Sequence, residues 1–267
     1  MPELPEVERA AARLRAWAVG RRIVRLALLH PALRRAAGEL ERSVRDSRID
    51  AVDRRGKHQL LRLALPDAAA GDDGLRTLHV HFRMAGDWVL DAADAPLPPH
   101  ARATLDLDDG TRIVLVDPRA LSTLHLVAGH DDPAGLGPEA TDPDVTPADL
   151  RERLQRHRGP IKPALLDQRV LAGIGNIYAS EALWHAGIHP TVPAARIGLV
   201  RMTRVLAGIR TALQAGATGA TRYTDAAVES LEVYGREGKP CRRCGGVVRR
   251  VTQAGRSTFF CAGCQRR

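Results

Sequence analysis

The chain has four cysteines, and all of them fall near its end, as Cys241-x2-Cys244 and Cys261-x2-Cys264. Two Cys-x2-Cys pairs with 16 residues between them have the ligand spacing of a tetrahedral zinc site made of four thiolates. Four thiolates leave no open coordination position, so the ion would hold shape and perform no chemistry. The alternative, a pair of disulfides, is disfavoured in a reducing compartment. A zinc site of this spacing forces two short turns to face each other. Gly245-Gly246 fits one of them. Val247, Val248, Val251 and the run Thr258 to Phe260 predict two strands closing a zinc ribbon. Arg256 then falls near the intervening hairpin turn, free to reach a phosphate.

Net charge is +9, from 40 basic and 31 acidic residues. From Arg236 to Arg267, nine Lys or Arg stand against one acid, Glu237, so this segment carries most of the excess. A concentrated basic surface suits a polyanion, most obviously nucleic acid. A solvated basic tail with no specific partner is the plainer alternative. Arg dominates the cations: Lys occurs only at positions 57, 162 and 239. A retained Lys in an Arg-rich chain marks a site where a compact ammonium is wanted. Aromatics are 3% of residues, which argues against extended base-stacking platforms.

With 267 residues, 44% of them apolar, the chain can build two modest domains with a sizeable core. It has no apolar run long enough for a membrane span, and its start is acidic where a signal peptide is basic then apolar. The expected location is the cytoplasm. Pro2 to Val19 reads as an amphipathic helix, with Val7, Ala10, Ala11, Leu14, Trp17 and Ala18 at helical spacing. Strands are expected at Ile23 to Leu29, Ser47 to Arg54, His58 to Leu65, Leu78 to Phe82, Trp88 to Leu90, Ala103 to Leu107 and Thr111 to Val116. Asp109-Gly110 is a hairpin signal. One helix followed by many short strands predicts a β-sandwich-like first domain. Gly129 to Ala148, rich in Asp, Pro and Gly, reads as a linker. Helical patterns run from Pro147 to Ala215. His79 and His81 share a strand face, but no third metal ligand matches them.

Two further motifs carry chemistry. The chain opens Met1-Pro2-Glu3-Leu4-Pro5-Glu6, and aminopeptidase removal of Met1 would leave a secondary amine. An α-amino group has a reference pKa of about 7.7–8.0, so near neutral pH it can attack an electrophilic carbon and form an iminium. Glu3 and Glu6 could move the protons. Pro and acids at a helix start are also ordinary capping chemistry, and the opening alone does not decide between the two. The second motif is Leu171-Ala-Gly-Ile-Gly-Asn-Ile-Tyr-Ala-Ser-Glu. Its glycines permit sharp turns, and Asn176 reads as the N-cap of a helix from Ile177 to His185. Free N–H groups there form an anion site. An ordinary capped turn is the alternative. Tyr178 occupies the third glycine position of a dinucleotide fingerprint and rules that motif out.

Together these pieces closely resemble the formamidopyrimidine-DNA glycosylase and endonuclease VIII family over nearly the full length. The resemblance rests on Pro-Glu-Leu-Pro-Glu-Val-Glu, Arg55-Gly-Lys57-His58, His81-Phe-Arg-Met84-Ala-Gly86, Asp117-Pro-Arg119, Ile161-Lys162-Pro163, the Gly-Asn turn, Val233-Tyr-Gly-Arg236 and the terminal cysteines. It implies an α+β protein: an N-terminal helix and β-sandwich domain (residues 1–130), a linker (131–148), a helical domain with a helix–two-turn–helix (149–235) and a C-terminal zinc-finger DNA-binding ribbon (236–267). It implies a bifunctional DNA glycosylase and abasic-site lyase that works as a monomer on damaged double-stranded DNA, associated with the nucleoid when bound, with one structural zinc ion on Cys241, Cys244, Cys261 and Cys264. By the same resemblance Pro2 is the nucleophile, Glu3 an acid that opens the sugar ring, Glu6 a supporting carboxylate, and Lys57 an assisting phosphate ligand. Asn176 and Arg256 grip the backbone beside the lesion, Lys162 belongs to the same set, and Met84 and Arg119 fill the hole left by the flipped base.

Two departures bear on the substrate. The family's oxidised-purine enzymes place Phe where this chain has Leu121, and the segment between Gly219 and Val233 is short where those enzymes have a loop over 8-oxoguanine. Both predict poor capping of 8-oxoguanine. Two rival readings stand beside catalysis: an inactive DNA-binding protein on the same scaffold, and a zinc-ribbon module whose basic tail binds RNA or an acidic protein.

Overall fold

The computed structural model describes residues 2–33, 37–66, 73–218 and 230–267. The chain forms two compact units, Met1–Pro2 with Val7–Pro133, and Glu3–Glu6 with Ala134–Arg267.

The first unit is built on α1 (Leu4–Ala18), whose Ala10, Ala11, Leu14 and Ala18 are fully buried in its core. Two four-stranded antiparallel sheets follow. One has the order β1 (Ile23–Leu28), β6 (Ala101–Leu107), β7 (Thr111–Val116), β5 (Asp87–Ala92). The other has β2 (Arg48–Arg55), β3 (His58–Ala64), β4 (Leu75–His81), β8 (Thr123–Ala128). Their alternating apolar residues (Ile23, Leu105, Ile113 and Leu115 from the first, Val52, Leu61, Leu63 and Leu78 from the second) meet in one core, as a sandwich requires. Buried Trp88 donates its indole N–H to Gln59 Oε1 at 2.7 Å, joining the two sheets inside that core. The Asp109-Gly110 hairpin forms as expected, with Thr111 N–H on the Asp109 carboxylate at 3.0 Å.

Two elements were not anticipated. β8 lies where no strand signal stood out, and it is fixed by pairing with β4 from Arg76↔Ala128 to His81↔Thr123. The short helix α2 (Ala37–Ser43) buries Leu40 and binds β1 through Glu41, which accepts the Leu28 N–H at 2.8 Å.

Strand register sets His58 opposite His81 and His79 opposite His125. The His58 and His81 rings pack edge to face with centroids 4.7 Å apart. Burial, and then the nearby charges of His79, Arg83 and His125, push His58 down to about 4. Burial, with His58, Arg83 and Lys57, pushes His81 down to about 3. Both rings are therefore neutral in the folded protein at pH 7. Among the described residues the only group of three or more potential metal ligands is the cysteine set. An unfolded chain takes up protons near pH 6.5 that the folded one refuses, so stability should fall as pH drops below 6.5 and level off near 3. Denaturant titrations between pH 7 and 3 should show a slope of up to about two protons, reduced in a His58→Gln, His81→Gln double variant.

The second unit is helical. Thr146 and Asp149 form a capping box at the start of α3 (Pro147–Gln155), with Pro147 in the first turn, where its missing N–H costs nothing. α4 (Ile161–Leu165), α5 (Asn176–Ala186) and α6 (Leu199–Thr218) pack Ile161, Leu165, Leu183, Met202 and Ile209 into one core. Part of the stretch read as a linker is ordered here. Gly137 N–H binds the Gln168 carbonyl at 2.8 Å, Ala172 N–H binds Pro138 at 2.8 Å, and Ala140 is fully buried. β9 (Val248–Gln253) and β10 (Arg256–Cys261) form the terminal hairpin around Ala254-Gly255.

Candidate functional site

Helix α5 begins at an N-cap, Gly175, that offers no side chain. The first-turn amides would be orphaned, but Glu3 fills the place. Its carboxylate accepts the Ile177 N–H at 2.9 Å and the Tyr178 N–H at 3.3 Å. The anion site expected at this turn therefore exists, and it is occupied by the chain's own Glu3. The expectation that Asn176 caps the helix is corrected: Asn176 is the first helical residue and makes no capping bond. Gly175 is required by close approach, since a Cβ there would lie 2.3 Å from Glu3 Cδ.

Glu3 itself is fully buried. Its own N–H donates to Glu6 Oε2 at 2.9 Å, and Glu6 Oε1 accepts the Tyr178 hydroxyl at 2.7 Å. Glu6 thus makes two kinds of contact. It reaches back to a backbone amide as in half of a capping box, and it belongs to a side-chain network around Glu3. Leu4 N–H binds the Gly173 carbonyl at 3.1 Å. Pro2 precedes this cluster by one peptide bond and is partly exposed.

A second network surrounds Asn176. Its Oδ1 accepts from Lys162 Nζ, and its Nδ2 donates to the Ser257 carbonyl at 3.0 Å and to Tyr234 Oη at 3.2 Å. Lys162 is fully buried, and its ammonium also donates to Thr258 Oγ1 at 2.9 Å and the Ser257 carbonyl at 3.2 Å. Burial, reinforced by the Arg256 charge and opposed by Glu3, pushes Lys162 down to about 8. Lys162 thus directs its donors inside the protein, onto Asn176 and the start of β10. Arg256, one residue before Ser257, is exposed at the hairpin. Glu181, one turn further along α5, is buried and accepts the N–H groups of Glu232, Val233 and Tyr234 at 2.7, 3.0 and 2.8 Å. It anchors the chain leading into the ribbon. Tyr178, Glu181 and Tyr234 went unassigned in the sequence, although the first two lie in the Gly-Asn motif itself.

In the first unit Lys57 lies in the turn between β2 and β3, half-buried, with its charge felt at His81. Met84 is exposed in the turn after β4, and Arg119 and Leu121 are exposed in the loop after β7. Buried Asp117 shapes that loop by accepting the N–H groups of Arg119, Leu121 and Ser122 at 3.0, 2.8 and 2.8 Å. The two loops are tied together: Ser122 Oγ donates to the Phe82 carbonyl at 3.2 Å. Gly86 is needed there, because a Cβ would lie 2.6 Å from Ser122 Oγ. Met84 and Arg119 therefore project from one braced pair of loops. The short segment expected to leave 8-oxoguanine uncapped lies, over residues 219–229, outside the described residues.

The four cysteine sulfurs lie within 4.8 Å of one another, with Cys241–Cys264 at 3.8 Å and Cys244–Cys261 at 3.5 Å. Tetrahedral thiolates on a zinc ion with bonds near 2.3 Å stand about 3.8 Å apart, so the cage fits one structural zinc. Trp184 Nε1 donates to Cys241 Sγ at 3.4 Å, an outer bond that orients the ligand. Gln265 accepts the Cys261 N–H at 2.8 Å and donates to the Ile188 carbonyl at 2.9 Å, fastening the ribbon beyond the end of α5.

This fold, with the buried Glu3 carboxylate next to Pro2 in the chain and a zinc ribbon, is that of a base-excision DNA glycosylase and abasic-site lyase. The comparisons agree. Residues 1–124 match the formamidopyrimidine-DNA glycosylase N-terminal domain, 136–226 its H2TH domain, and 238–267 the zinc finger found in FPG and IleRS. The chain is 40% identical to formamidopyrimidine-DNA glycosylase of Chloroflexus aggregans, covering 99% of this chain and 98% of that one. It is also 40% identical to that of Acidiphilium cryptum, over the whole of both chains. Among solved structures, Lactococcus lactis Fpg with DNA containing an abasic site aligns at a TM-score of 0.85 and 29% identity over 99% of this chain and 100% of that one. MutM with DNA containing carbocyclic 8-oxo-G aligns at 0.85 and 30% identity over 100% of both. The chain belongs to the formamidopyrimidine-DNA glycosylase family.

Proposed function

We propose that this glycosylase acts through the Pro2 amine, freed by removal of Met1. The observation that carries the reading is Glu3, fully buried and held on two α5 amides one peptide bond from Pro2. The flipped nucleotide, unstacked at a cost of a few kcal/mol, presents C1′ to the amine. The N–C1′ bond forms as the glycosidic bond breaks; the base leaves with that electron pair and takes up the proton that the Pro2 nitrogen sheds. Glu3 gives a proton to O4′ as the sugar ring opens, leaving an iminium. The iminium acidifies C2′–H, and loss of that proton expels the 3′ phosphate by β-elimination. A second proton loss expels the 5′ phosphate by δ-elimination. Glu6 supports Glu3. Lys57, Asn176 and Arg256 hold phosphates, Lys162 positions Asn176, and Met84 and Arg119 fill the gap in the duplex.

The reading assigns catalysis to residues 1–130, a connection to 131–148, the helix–two-turn–helix to 149–235 and a DNA clamp to 236–267. It has one chain working in the cytoplasm on the nucleoid. Leu121 and the short sequence between Gly219 and Val233 favour formamidopyrimidine, oxidised pyrimidine or further-oxidised purine lesions over 8-oxoguanine. Single-turnover rates on duplexes carrying 8-oxoguanine, formamidopyrimidine or thymine glycol test this, and preference for 8-oxoguanine opposite C defeats it. Borohydride trapping tests the chemistry: absence of a covalent protein–DNA adduct on every lesion and abasic site would support the inactive scaffold instead.

The Gly175 contact gives a direct test of Glu3. Gly175→Ala is expected to push the Glu3 carboxylate off the α5 amides and slow excision by about 100-fold, the usual scale for losing a general acid. Binding to undamaged duplex should change little.

A further inference from the structure

The outer end of the second unit carries a groove of about 620 Å³ where α5, α6 and the ribbon meet, lined by His185, Arg201, Arg204, Arg243, Arg266 and Arg267 among others. No Asp or Glu side chain lines it, although the charge of Glu232 is felt at His185. None of the five arginines forms an ion pair among the described residues. Two guanidinium groups are held in place: Arg243 stacks 3.9 Å over the Trp184 ring and donates to the Trp184 carbonyl at 3.1 Å, and Arg201 donates to the Arg266 carbonyl at 3.1 Å. Cys264, a ligand of the anionic zinc–thiolate site, also lines the groove and offsets part of this charge; the remaining like charges repel one another, a cost relieved by an anionic partner.

Two observations identify the kind of partner. The groove lies at the C-terminal end of α5, whereas Asn176 and the hairpin start lie at its N-terminal end. Eleven residues of helix separate them by about 16 Å, so the groove stands apart from the phosphate-gripping network. One exposed apolar side chain adjoins it: Val200 on α6 is 79% exposed and shares a helix face with the groove-lining Arg204 one turn on. A duplex backbone offers phosphates but nothing to cover Val200. An acidic peptide offers both carboxylates and apolar side chains.

We infer that this groove binds an acidic segment of a partner protein, carboxylates on the arginines and an apolar side chain on Val200, while the enzyme holds DNA at the other end of α5. The test uses the full zinc-loaded chain saturated with lesion-free duplex, titrated with a fluorescein-labelled peptide of four Asp followed by Leu-Leu-Phe. Saturable binding is expected to persist on the DNA-bound protein. It should weaken about tenfold in Arg201→Glu, Arg204→Glu, and about threefold in Val200→Ser, with single-turnover excision unchanged in both. Peptide binding indifferent to these substitutions overturns the proposal. So does displacement of the peptide by a second duplex, with stoichiometry falling from two duplexes to one in the arginine variant, which would make the groove a nucleic-acid surface.

Discussion

A chain that keeps any residue ahead of Pro2 should give no borohydride-trapped adduct, and its excision rate should fall by about 1000-fold or more, the scale on which removing a covalent nucleophile acts. The reason is electronic. In an amide the nitrogen lone pair is delocalised into the carbonyl, and at Pro2 an acyl group would also occupy the position that C1′ must take. The Glu3 carboxylate, bonded to Ile177 and Tyr178 amides in the second unit, should stay where it is, so duplex affinity should be retained. Intact mass spectrometry of each preparation, read beside trapping yield, makes the prediction quantitative: adduct should scale with the fraction of chains lacking Met1. Full trapping by a chain that still carries Met1 would remove Pro2 from the mechanism.

Loss of the metal should have the second large effect. The core around the cysteines consists of Trp184, Val233, Cys241, Val248, Phe259 and Cys261, too few side chains to order the ribbon unaided. Structural zinc contributes about 10–16 kcal/mol in small finger domains. Cys261→Ser, which removes a fully buried ligand, is expected to release zinc and unfold the hairpin. Lys162 and Asn176 would then lose Ser257 and Thr258 as partners. Duplex affinity should drop by about 100-fold and the salt dependence of binding should flatten, because Arg256 and its basic neighbours no longer meet phosphates. Metal analysis with binding isotherms at several salt concentrations checks this. A zinc-free protein that binds DNA normally would make the ribbon dispensable.

Much of this protein was legible because its signals are local. The cysteine spacing specifies a metal cage whatever surrounds it. Helix α1 and strands β1 to β7 show in short-range periodicity, and Asp109-Gly110 marks its own hairpin. β8 escaped because what holds Thr123–Ala128 as a strand is its pairing with β4, far away in sequence. Asn176 was misread for a related reason. A polar residue beside a glycine at a helix start is ordinarily the cap, and nothing within a few residues says otherwise.

By itself, then, the sequence determined most of the elements and the zinc cage, and it singled out Pro2, Glu3, Glu6, Lys57 and Asn176 for the proposed chemistry. Only the tertiary structure decided what those residues do to one another. The cap of α5 comes from Glu3, 174 positions away, Lys162 turns inward to hold Asn176 and β10, and five arginines gather around one groove at the outer end of the second unit. Each of these depends on chain segments brought together by burial of a shared core, and short-range sequence patterns carry no record of which distant group will satisfy an orphaned amide or charge.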